Sequence, residues 1–190
     1  MNVEILGKSI PMSFAEGQAI DDDERERVEL GVEAMAALIN SIAWPDDYAN
    51  AYRSMEGVVF FDQPVLVNGY MMDRPCCDED DAVFYWEIEE FLRYDDADVH
   101  ASTFFHDCWH VVQFRAAGDM FARDEDERLE REVDAVRHQI GVAHMLGCSD
   151  HEISHLVKFS QDHATILARL DEGVGAFAAH PPGAFATANA

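Results

Sequence analysis

The sequence is short of basic residues: 13 Lys and Arg stand against 38 Asp and Glu, so the formal net charge is −25 at pH 7. A surface with this excess of negative charge repels phosphate backbones, and we therefore expect no direct binding to nucleic acid. The same excess suits a bound cation or a basic protein partner. Because 48% of the 190 residues are hydrophobic, the composition predicts one folded, acidic, globular domain.

Long hydrophobic runs and paired cysteine motifs are also lacking. No stretch approaches the roughly 18 apolar residues of a membrane span, and the first residues show no signal-peptide pattern, so we expect a cytoplasmic protein without membrane contact. The four cysteines are an adjacent pair and two single residues, Cys76, Cys77, Cys108 and Cys148. Without a CxxC motif, this distribution indicates reduced thiols and argues against a cysteine-based zinc site.

Hydrophobic periodicity divides the chain into an N-terminal segment (1–20), a single domain (21–172) and a flexible tail rich in Ala, Pro and Gly (173–190). Within the domain the pattern predicts an α+β fold: a helix, a small twisted sheet within 57–92, and then three helices. The sheet is expected to pack against the first of those three helices, at about 98–117. The acidic stretch DRPCCDEDD inside the sheet region is predicted to be a loop.

Two histidines stand four residues apart in that first helix. His106 and His110 therefore share one helix face and can bind the same metal ion. Asp107 follows the first histidine, where a carboxylate can accept a proton from a metal-bound water. Gln113 lies on the histidine side and can hold a ligand by hydrogen bonds. The alternative interpretation is a buried helix whose histidines hydrogen-bond to acids.

A catalytic zinc site needs a third protein ligand and leaves its fourth position to water. Glu130, twenty residues beyond His110 in the next predicted helix, is the first candidate, and the nearby Glu132 is the second. Asp134, one turn after Glu130, is placed to accept a hydrogen bond from a ligand imidazole. The sequence leaves the choice between Glu130 and Glu132 open.

These residues resemble the gluzincin class of zinc metallopeptidases, in which HExxH is followed about twenty residues later by ExxxD on a second helix. The compact minigluzincin-like members with an "HExxHVxQ" helix are the most similar, over roughly residues 55–146. The matching positions are His106-Asp107-x-x-His110-Val111-x-Gln113 and Glu130-x-x-x-Asp134.

The resemblance implies a zincin-like fold and zinc-dependent hydrolysis of a peptide or protein substrate. In it His106, His110 and Glu130 hold the ion, Asp107 is catalytic, and Asp134 orients a histidine. Asp107 replaces the usual Glu and is one methylene shorter, by about 1.5 Å, so any catalysis is expected to be weak. The alternative is a non-catalytic acidic protein of the same fold that binds metal or a basic protein partner.

A literal HExxH motif occurs later, at His151-Glu152-Ile153-Ser154-His155. It falls in the first turn of the third predicted helix, where Ser149 and Glu152 fit a capping box. We therefore expect His151 and His155 to face solvent, and we rank this motif below the first. If it were a metal site, His163 would be the nearest further ligand.

Overall fold

The computed structural model of the protein describes residues 1–67, 70–72, 75–79, 81–117 and 125–178. They form an α+β fold, which confirms the predicted fold class. The strands are β1 Asn2–Ile5, β2 Lys8–Phe14, β3 Gly57–Phe61, β4 Val65–Val67, β5 Tyr70–Met72, β6 Cys76–Asp78 and β7 Val83–Glu87. The helices are α1 Asp22–Ser41, α2 Asp46–Ser54, α3 Ile88–Leu92, α4 Ala97–Ala117, α5 Glu125–Leu146, α6 Asp150–Gln161 and α7 His163–Ala178.

A mixed sheet of five strands forms one layer, in the order β1-β2-β3-β7-β6. The three central strands are parallel, whereas β1 and β6 are antiparallel edge strands. β4 and β5 form a separate antiparallel pair. Alternation explains the sheet, because every second residue of β3 and β7 is buried: Val58, Phe60, Phe84 and Trp86. They share the core with four residues of β1 and β2, namely Val3, Ile5, Ile10 and Met12.

α4 is the central helix of the second layer and packs against α1, α2, α5 and β6. These neighbours explain why its buried residues occur on several sides of the helix. α2 fixes its position, because Tyr52 Oη donates to the Ala101 carbonyl oxygen and Ser54 Oγ donates to that of Cys108, each over 3.1 Å. The helix that carries the first histidine motif is thus held in place from within the core.

Three local predictions were wrong. The acidic loop contains a strand, β6, because its residues pair with β7. The alternating apolar residues of 82–92 predict one strand, but β7 ends at Glu87, after which Ile88 and Phe91 are buried at helical spacing in α3. The third predicted helix is two helices, α6 and α7, which meet at Asp162.

The start of α1 and the end of α5 agree with the sequence. α1 follows the N-cap Asp21, and α5 is followed by Gly147 at a φ of 82°, a backbone conformation that glycine adopts without strain. Two domain boundaries differ. The segment 1–20, which was expected to precede the domain, supplies β1 and β2 to the sheet, and α7 continues past the predicted end of the domain at 172. Asn68-Gly69 predicts a turn between two strands and Gly118 predicts a helix end, and both positions lie outside the described residues. In the described part of the chain, no helix is both long and apolar enough to cross a membrane.

Candidate metal centre

His106 and His110 lie one turn apart on α4, as their spacing predicts. Their Nε2 atoms are 3.0 Å apart, and the two ring centroids are 4.7 Å apart. Each side chain is only 16 or 17% exposed, so both imidazoles are largely buried but still open to a small ligand. The pair therefore presents two nitrogen donors toward one point.

Glu132, on α5, completes the group. Its Oε1 lies 3.3 Å from His106 Nε2, and its Oε2 lies 3.2 Å from His110 Nε2. A tetrahedral zinc ion with ligand bonds of 2.0–2.1 Å needs ligand atoms about 3.3 Å apart, which is close to the distance between the two nitrogens and to the distance from each nitrogen to its nearer carboxylate oxygen. The donor set and its spacing thus fit a metal ion.

Glu132 takes the place predicted for Glu130, which is exposed. The helix explains the difference, since two residues turn it by about 200°. Steps of alternately four and three residues along α5 follow one face of the helix. Starting from Glu132, every residue that these steps reach is buried: Val136, Gln139, Ala143 and Leu146. This row of buried residues identifies the face of α5 toward α4, and reading it from the sequence would have selected Glu132.

His110 is oriented through Gln113. The amide nitrogen of Gln113 donates to the Arg131 carbonyl oxygen and to Asp134 Oδ2, each over 2.9 Å. Its Oε1 must therefore accept from His110 Nδ1, also at 2.9 Å, which leaves Nε2 as the nitrogen that can bind metal. Asp134 was predicted to contact a ligand imidazole directly, but Gln113 lies between them.

Asp134 also joins α4 to α5 through Trp109. The indole Nε1 donates to Asp134 Oδ2 over 2.9 Å, and the Trp109 ring stacks on His138 at a centroid distance of 3.8 Å. Burial alone would raise the pKa of Asp134, but the hydrogen bonds from Trp109 and Gln113 hold it below its usual value. His106 differs from His110, because its buried Nδ1 has no hydrogen-bond partner in the described part of the chain.

The charge states of His110 and Glu132 depend on each other. Burial would lower the pKa of His110, but the hydrogen bond and charge of Glu132 outweigh it and raise that pKa to about 9. Burial would raise the pKa of Glu132, and the two histidines instead hold it well below its usual value. A proton on His110 thus supplies positive charge that Glu132 requires, as a metal cation would.

Two further carboxyl groups lie close to this group. Asp107 is 9% exposed, and burial raises its pKa to about 6 against the opposing charges of His106 and His110. Glu79, which follows β6, interacts with His110 and Asp107, and burial raises its pKa to about 7. The sequence interpretation missed Glu79, because the segment before it was expected to be a loop.

Among the residues that the structure describes, no third ligand joins the two histidines of the literal HExxH motif. His151 and His155 are exposed, as expected, and His163 is exposed as well. Glu152 forms the predicted capping box with Ser149. The Glu152 carboxylate also lies within 4.8 Å of ligand atoms of Asp98 and Cys148. That second group is explained by contacts at the starts of α4 and α6, where Asp98 and Glu152 accept backbone hydrogen bonds.

Comparison with known proteins gives no relative: no family model, no curated protein and no solved structure matches the chain. The interpretation of the site therefore depends on the chemistry and geometry of its own residues.

Proposed function

We propose that the protein is a zinc-dependent hydrolase of metallopeptidase type, with His106, His110 and Glu132 as the zinc ligands. The observation that supports this most directly is that the two Nε2 atoms lie 3.0 Å apart, while His106 Nε2 lies 3.3 Å from one oxygen of the Glu132 carboxylate and His110 Nε2 lies 3.2 Å from the other. Two imidazoles and one carboxylate also form a donor set found in catalytic zinc sites, which keep a fourth position open.

Zinc at this site would polarise a substrate carbonyl and lower the pKa of a bound water. The protein's own residues supply the rest. Gln113 and Asp134 hold the His110 ring with Nε2 toward the site, and Asp107 is the carboxylate next to the ligands that can accept a proton. The limited exposure of the two imidazoles restricts the water that reaches the site.

A non-catalytic metal-binding protein is the second candidate, and the residue at position 107 favours it. Aspartate is about 1.5 Å shorter than the glutamate of the gluzincin motif, which limits its reach to a water on the ion. In this candidate function the same three ligands bind the ion, and the acidic surface engages a basic protein partner.

Hydrolysis by zinc-loaded protein tests the proposal and separates the two candidates. We expect wild type to cut a panel of unfolded proteins and peptides slowly. Asp107→Ala should lose most of this activity and keep its zinc, whereas His110→Ala should lose both. His155→Ala, in the second motif, is the matched control and should change neither.

Asp107→Glu completes this experiment. If the short carboxylate limits catalysis, this variant should gain activity. If the geometry of the site requires an aspartate, the variant should lose activity. If zinc-loaded wild type and Asp107→Glu both leave every substrate uncut, the hydrolase proposal is rejected and the non-catalytic function is supported.

A further inference from the structure

β6 brings a glutamate to the metal centre. This strand is the antiparallel edge of the five-stranded sheet, and it also packs against α4. Cys77 pairs with Phe84, whose side chain belongs to the buried face of the sheet. The Phe84 ring packs against Phe104 of α4 at a centroid distance of 6.5 Å, so Cys77 lies on the side of the sheet that faces α4. Glu79 directly follows the strand, in a half-buried turn.

The electrostatic surroundings of Glu79 agree with this position. The charges of His110 and Arg131 favour its ionised form, whereas those of Asp107 and Asp78 oppose it. The Cys77 thiol lies near Asp107 and Cys108, which places the end of β6 beside the middle of α4. Glu79 and Asp107 therefore approach the ligand group from two different elements, the sheet edge and α4.

Glu79 is close to the ligand group without belonging to it. At this centre, the described ligand atoms that all lie within 4.8 Å of one another come from His106, His110 and Glu132. A half-buried carboxylate just outside such a group is placed to contact whatever binds the ion. Glutamate also has the longer reach that Asp107 lacks.

We propose that Glu79 is a ligand-binding residue of the metal centre, whose carboxylate accepts a hydrogen bond from an N–H or O–H group of a molecule bound to the ion. This role rests on the proposed metal site. It gives the site a preference for ligands that carry a donor beside their coordinating atom, as an amide substrate does.

Two small probes on protein loaded with Co²⁺ distinguish this role from a general effect of charge. Acetohydroxamate coordinates a metal ion and carries an N–H donor, whereas azide coordinates without a donor. The visible absorption of the bound Co²⁺ gives the dissociation constant of each probe. Removing one negative charge near the ion affects the binding of both anionic probes alike, so this general effect cancels in the ratio of their dissociation constants.

Glu79→Ala should shift this ratio about tenfold against acetohydroxamate, because a hydrogen bond to a charged group is lost. Glu79→Gln, which keeps an acceptor oxygen, should shift it about threefold, and it remains informative if the alanine variant fails to fold. Glu87→Ala, at the end of the neighbouring strand, is the matched control and should leave the ratio unchanged.

The outcomes are distinct. An unchanged ratio in both Glu79 variants overturns the role of Glu79 while leaving the metal site intact. Loss of Co²⁺ binding in those variants also overturns it, because Glu79 would then be a metal ligand. If wild type binds no Co²⁺, the proposed metal site itself fails, and the role of Glu79 fails with it.

Discussion

Asp107 is the residue at which stability and function conflict. Its carboxylate is buried, and the burial that raises its pKa to about 6 disfavours the charged form in the folded protein. The folded state therefore binds a proton more tightly than the unfolded state does. Stability falls as pH rises from about 4 through about 6, and the full penalty is present above that range.

Replacing Asp107 by asparagine should remove this penalty. We expect Asp107→Asn to stabilise the metal-free protein by about 2–3 kcal/mol at pH 8, and by about half as much at pH 5. Urea unfolding at the two pH values, with a chelator present, measures the difference. Asp126→Asn, an exposed site on α5, should change stability by less than about 0.5 kcal/mol. A variant no more stable than wild type at pH 8 would contradict the assigned burial cost.

The sequence predicted that the two histidines share one helix face, and they do, because spacing on a single helix is a local property. The third ligand depended on which face of α5 meets α4. Glu130 and Glu132 both lie at a suitable sequence distance after His110. Only the buried face of α5, on which Glu132 lies, distinguishes between them. The role of Asp134 was harder to predict, since its hydrogen bonds to Trp109 and Gln113 cross between two helices.

At the scale of elements, the candidate metal centre lies where α4 contacts α5. Trp109 and Gln113 on α4 both donate to Asp134 on α5, and Glu132 reaches back to the two histidines. These contacts connect the packing of the two helices with the orientation of the ligands. A change that loosens the contact should therefore reduce both stability and metal affinity.

Asp134→Ala tests this coupling. Two donors lose their shared acceptor, so we expect the free energy of unfolding to fall by about 1–2 kcal/mol. Because Gln113 then loses a partner, zinc affinity should fall about tenfold or more. Asp126→Ala, with the same change of charge on the same helix, should leave both within error. Equal effects of the two variants would show that charge, and not the hydrogen bonds, is responsible.

The elements themselves were predictable to different degrees. The long helices follow from periodicity and capping residues, such as Asp21 before α1 and Ser149 before α6. The strand β6 was not predictable in this way, because its residues are cysteines and an aspartate in an acidic stretch. Pairing with β7 stabilises it, and such tertiary contacts override weak local preference.

At the scale of the whole molecule, the net charge of −25 leads to self-repulsion in the compact state. Three of the acidic residues, Asp107, Glu79 and Glu132, lie around the two histidines of the candidate metal centre. A bound divalent cation would reduce the repulsion locally. The excess of acid thus favours metal binding at this site, in addition to the geometry of the three ligands.

The zinc content of protein purified without added metal tests the central claim most directly. Elemental analysis of wild type, Glu132→Gln and Glu130→Gln compares two identical chemical changes on opposite sides of α5. We predict about one zinc ion per chain in wild type and in Glu130→Gln, and little or none in Glu132→Gln, because only Glu132 lies beside both imidazoles. Wild type without zinc even after incubation with it, or zinc retained in Glu132→Gln and lost in Glu130→Gln, would contradict the account.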